Sequence, residues 1–81
     1  MRTFKDIKIG DIIVAYDDYC LDYIEHLIKI DDIEYYKEYV TETNPSGLIC
    51  CGTDIEEADY KTLVHEGNFV SFAEDKERLE I

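Results

Sequence analysis

Apolar and polar side chains alternate along much of this chain, a period that predicts strands over most of its length. Asp11 to Tyr16 holds the longest uninterrupted apolar run, Ile12-Ile13-Val14-Ala15-Tyr16, rich in β-branched residues and entered through Gly10, and reads as a first strand. From Leu21 to Thr43 two periods compete. Leu21, Ile24, Leu27 and Ile28 fit a helical stripe, whereas Ile24, His26, Ile28 and Ile30 fit one face of a strand. Dense Ile, Tyr, Val and Thr favours strands here, turning near Asp31-Asp32. Ile33 to Thr43 alternates Ile33, Tyr35, Lys37, Tyr39 and Thr41 on one face with Glu34, Tyr36, Glu38, Val40 and Glu42 on the other. The turn Asn44-Pro45-Ser46-Gly47 then leads into Leu48 to Cys51, which predicts a hairpin.

Beyond Gly52 the pattern changes. Thr53-Asp54-Ile55-Glu56 has the form of a capping box, Glu57 stands four residues before Lys61, and Gly67 can close the end, so a short helix is expected. Asn68 to Ala73 reads as a last strand, and Glu74 to Leu79 as one closing helical turn with Glu74 and Arg78 paired across it. No repeat, low-complexity stretch or linker divides residues 1–81, which predict a single compact domain.

The opening Phe4-Lys5-Asp6-Ile7-Lys8-Ile9-Gly10-Asp11-Ile12-Ile13-Val14 resembles the start of small SH3-like barrel proteins of bacteria and their phages. The resemblance covers little more than the first strand. It implies fold alone and carries over no functional residue. With the strand pattern, the expected class is α+β and β-rich: a small five-stranded antiparallel SH3-like barrel with one or two short helices.

Composition narrows the function. The 81 residues are 46% hydrophobic and 12% aromatic, with seven tyrosines, enough apolar material to fold without metal or disulfide staples. No apolar run approaches the roughly 20 residues of a membrane-spanning helix, and residues 1–11 lack the apolar stretch of a secretory signal. Cys20, Cys50 and Cys51 cannot all pair within one chain, and a bridge between adjacent cysteines is strained. Reduced thiols in the cytoplasm fit this pattern. Proline in Asn44-Pro45-Ser46 removes the glycosylation signal.

Twenty acidic against eight basic side chains give a net charge of −12, spread as ten against five over residues 1–40 and ten against three over 41–81. Such a field repels phosphate backbones and anionic lipid, which excludes direct nucleic-acid and membrane binding and favours a basic protein partner.

Candidate chemistry is sparse. Cys20, Cys50, Cys51, Ser46, Ser71, His26 and His65 are linked by no nucleophile–base motif, so no catalytic residue and no enzyme activity is expected. Cys50-Cys51 lacks the spacing by which two thiolates reach one zinc ion, and Asp17-Asp18 and Asp31-Asp32 lack the alternating ligands and glycine of a calcium loop; they read as turn and capping residues. No phosphate-cradling glycine loop occurs, and no cofactor is expected.

The acidic residues remain. On a strand, Glu34, Glu38 and Glu42 would form a row with about 13 to 14 Å between neighbours. With Asp54, Glu56, Glu57 and Asp59 they could present an extended negative surface; Tyr35, Tyr36, Tyr39 and Tyr60 among these carboxylates read either as interface anchors, Tyr36 foremost, or as barrel core with a wet hydroxyl. By size, charge and opening motif the chain is similar to small phage-encoded inhibitors of bacterial defence, anti-CRISPR and anti-restriction proteins that imitate nucleic acid. That similarity implies a basic, nucleic-acid-handling target. The competing expectation is an accessory barrel subunit of a larger bacterial or phage assembly, its acidity serving only solubility.

Overall fold

The computed structural model describes residues 2–17 and 24–74. Five strands run through them: β1 (Ile12–Tyr16), β2 (Glu25–Tyr35), β3 (Leu48–Asp54), β4 (Lys61–Val64) and β5 (Phe69–Phe72). They make one sheet in the order β4-β3-β2-β1-β5, with every neighbouring pair antiparallel. The β-rich class expected from the alternation is therefore present. The expected strands at 11–16, 48–51 and 68–73 all appear, with shifted ends.

The inner face buries Ile13 and Ala15 of β1, Ile28 and Ile30 of β2, Cys50 of β3, Val64 of β4 and Phe72 of β5. Phe4 and Ile7 close over this core from a 3-10 turn at Phe4–Asp6, where the Asp6 carboxylate accepts the Thr3 N–H at 2.7 Å. Gly10 and Asp11 shape the way into β1. Gly10 takes φ of +95°, open to glycine at little cost, and the Asp11 carboxylate accepts the Lys8 N–H at 2.8 Å.

Three expectations fail, each for a local reason. No turn forms at Asp31-Asp32, because β2 continues through both residues with a bulge. Ile30 pairs with Gly52 and Asp32 with Cys51, so Asp31 is the extra residue. The strand expected over 33–43 stops at Tyr35. Tyr36 N–H still bonds to Gly47 O at 3.0 Å, but Lys37–Tyr39 forms a 3-10 turn and Thr41 bridges Asn44. Buried Asn44 draws this loop together, its Nδ2 donating to Tyr39 O at 3.2 Å and Leu48 O at 3.3 Å.

The helix expected after Gly52 is absent. The expected cap is displaced by one residue: the Thr53 hydroxyl donates to Asp31, and Asp54 Oδ1 instead accepts the Glu56 and Glu57 N–H groups at 2.8 and 3.3 Å. Yet Lys61 to Val64 alternates with period two, burying Thr62 and Val64, and pairs back with Cys50–Thr53. Strand pairing overrides the local helix signal. Ala73 and Glu74 are helical; the rest of the closing turn expected over 74–79, together with Asp18, Cys20 and Leu21, lies outside the described residues.

β4 and β5 are opposite edges of the sheet, about 19 Å apart were it flat. They are nevertheless joined by the turn 65–68, in which Asn68 and Phe69 N–H groups both donate to His65 O, at 3.2 and 3.0 Å. A turn this tight spans about 7 Å at most, so the sheet curls until its edges approach. Buried Asn68 pins the approach. Its Nδ2 donates to Tyr16 O and to Leu63 O, both at 2.9 Å, and its Oδ1 accepts His65 N–H at 2.8 Å. Among the described residues, no helix is long and apolar enough to cross a membrane.

Candidate protein-binding surface

The bulge at Asp31 sets which side chains of β2 face outward. Before it, His26, Ile28 and Ile30 point to the core; after it, Ile33 does. Asp32, Glu34 and Tyr36 therefore share the outer face, with alternate residues about 6.8 Å apart. Tyr36 hydroxyl donates to the Glu34 carboxylate. That bond, then the charge of Glu34 itself, raises the Tyr36 phenol above its ordinary value of 10.0, with Asp32 adding to the effect.

Around this row lie exposed apolar groups. Tyr35 is 62% exposed, Tyr39 51% and Val40 46%, and the Tyr36 and Tyr39 rings meet edge to face at 5.4 Å. Gly47, buried with φ of +69°, packs against Tyr35 and Val40. A Cβ there would come within 2.7 Å of Val40 Cγ2 and 2.9 Å of Tyr35 Cε2.

The expected acidic residues are thus divided. Glu34, Glu38 and Glu42 stay near one another at the β2–β3 loop, but on a strand end, a 3-10 turn and a tight turn, so they are no straight row. Tyr36 joins them. Asp54, Glu56, Glu57 and Asp59 sit at the other end of β3, about 20 Å away along a seven-residue strand. Among these Asp54 differs: it is 5% exposed, its Oδ2 lies 3.0 Å from His26 Nδ1, and its Oδ1 holds the Glu56 and Glu57 N–H groups. It shapes the loop. Glu56, Glu57 and Asp59 are exposed beside Tyr60, whose hydroxyl bonds to buried Asp17.

Asp32 belongs to the surface although the sequence pointed to it only as a turn residue. Asp31 is also exposed, but it is engaged. The Thr53 hydroxyl, at 2.5 Å, holds its carboxyl below the ordinary 3.8, with Lys61 Nζ at 3.4 Å contributing.

Three of the candidate nucleophiles and bases, Cys50, Ser46 and His65, have local roles in the fold. Burial, followed by the charge of Asp32, pushes the Cys50 thiol up to about 12, and a protonated thiol is a poor nucleophile. Ser46 Oγ accepts the Leu48 N–H at 3.2 Å, and His65 Nδ1 accepts the Gly67 N–H at 3.0 Å. Among the described residues, no three His, Cys, Asp or Glu side chains converge where a metal ion could sit. No family model, curated protein or solved structure matches the chain.

Proposed function

We propose that this protein is a small, non-catalytic inhibitor that binds a basic, nucleic-acid-handling protein and occupies the surface on which that protein holds phosphates. An anti-CRISPR or anti-restriction role in a phage-infected cytoplasm fits this reading. The observation that carries it is the exposed Tyr36–Tyr39 ring pair at the end of β2, with the Glu34 carboxylate bonded to Tyr36 and Asp32, Glu38 and Glu42 close by along the chain, on a protein of net charge −12. Aromatic rings supply contact energy at such surfaces, while carboxylates steer a cationic partner. The scaffold reads as a small SH3-like barrel, since the curled sheet returns β5 to β1 beneath an N-terminal lid.

The test is capture of partners by the immobilised protein from bacterial lysate with an active CRISPR or restriction system, eluted by a salt gradient. A nucleic-acid enzyme released at moderate salt or by competing DNA, and lost from the Glu34→Lys/Glu38→Lys/Glu42→Lys variant, supports mimicry. A partner that resists salt and ignores DNA refutes it.

A second reading, an accessory subunit of a larger assembly, is favoured by one observation. On the outer face of β1, β2 and β5, Ile12, Leu27 and Val70 are exposed around buried Val14. A subunit held through that face would bind independently of salt, and Leu27→Asp would release it.

A further inference from the structure

We propose that the tyrosine patch of the β2–β3 loop is an arginine-docking surface, on which guanidinium groups of the partner lie against the Tyr36 and Tyr39 rings and pair with Glu34 and Glu38. This rests on the reading above that the partner is basic, and names the side chain that does the recognising.

The Tyr36 and Tyr39 rings stand nearly perpendicular, at 86°, so the pair offers an aromatic face beside an edge. The Tyr36 hydroxyl holds the Glu34 carboxylate next to that face. A π-face with a fixed carboxylate at its rim suits a flat, delocalised cation that stacks and donates in one plane, which guanidinium does and a compact, strongly hydrated ammonium does not. Lys37, the only basic residue between Asp32 and Glu42, forms no ion pair with these carboxylates, so the loop does not neutralise itself.

Other occupants fit worse. An apolar partner would strip water from four carboxylates without pairing them. A second copy of this chain brings the same negative charge. The loop at 55–59 lacks the ring pair, and its neighbour Tyr60 already spends its hydroxyl on Asp17.

The experiment compares fluorescent oligo-arginine and oligo-lysine peptides of equal length, titrated with the full chain at low ionic strength. The readout is the ratio of the two affinities, which cancels the general pull of net charge. A cation over an exposed ring face gains about threefold and guanidinium stacks there better than ammonium, so a ratio of about two to three is expected for the one face the pair offers. Tyr36→Leu/Tyr39→Leu brings the ratio near one, whereas Glu56→Gln/Glu57→Gln/Asp59→Asn weakens both peptides alike and preserves it. Tyr36→Phe keeps the ring and most of the ratio, and an unchanged urea midpoint in each variant certifies the fold.

Two results overturn the proposal. Salt-sensitive binding of both peptides with a ratio near one, or a ratio indifferent to the tyrosines, removes arginine docking and leaves the basic-partner reading standing. Failure of both peptides to bind removes the two together.

Discussion

At Asn68 a single carboxamide joins β1 to β4, two strands that no ladder connects. Asn68→Ala leaves Tyr16 O, Leu63 O and His65 N–H without that partner. At about 1 kcal/mol for each hydrogen bond, the loss should be about 3 kcal/mol, read as a lower urea midpoint at unchanged slope. A second expectation concerns the thiol inside the sheet. Below its ordinary value of 9.0, the Cys50 thiol is protonated whether the chain is folded or not. Between there and about 12 the unfolded chain releases this proton and the native protein keeps it. Stability therefore falls as pH rises through that window, by up to about 1.4 kcal/mol per pH unit from this group. Cys50→Ala should flatten the slope relative to the parent protein, although the cavity lowers stability at every pH.

Strand β2 shows how an element can be legible in its parts and misread at its joint. The even-numbered face His26, Ile28, Ile30 and the odd-numbered Ile33, Tyr35 were both visible as alternations. A change of phase between them calls for either a turn or one extra residue, and two aspartates suggest a turn. The structure uses the extra residue, Asp31, which bends the strand and keeps Ile33 inward. Removing Asp31 therefore restores a regular ladder, Ile30 opposite Gly52 and Asp32 opposite Cys51, and the variant should still unfold cooperatively. Removing Lys29, two positions earlier, puts Ile28 and Ile30 on opposite faces and should abolish the folded state. Urea melts of the two deletions separate these outcomes. The helix expected after Gly52 failed in a similar way: the capping-box pattern over Thr53 to Glu56 was visible, but the Thr53 hydroxyl is drawn to Asp31 and Lys61 to Val64 pairs with β3, partners the local window does not contain.

For the molecule as a whole, charge was legible and its placement was not. Twenty carboxylates give no sign of which are spent inside the fold; Asp54 is buried beside His26, 28 residues away, and Asp17 beside Tyr60, 43 residues away. Glu34, Glu38 and Glu42 could be grouped because they share one loop, whereas joining them to the 54–59 segment required the length of β3, which holds the two groups apart.

The curled sheet also imposes an order in time. β1 to β4 pair with their neighbours in sequence, but β5 must travel back to β1, and the Asn68 contact to Tyr16 closes 52 residues of chain. That closure carries the largest loop-entropy cost in the sheet, so β5 docks last and leaves first. Amides of Val70 to Phe72 should exchange with deuterium faster than those of Ile28 and Ile30; equal rates would contradict this order. Each excursion of β5 uncovers the edge of β1, whose Ile13 and Val14 are apolar and β-branched, a template on which a foreign strand can add. The carboxamide of Asn68 thus governs how often the stickiest strand of the protein is open to its neighbours in a crowded cell.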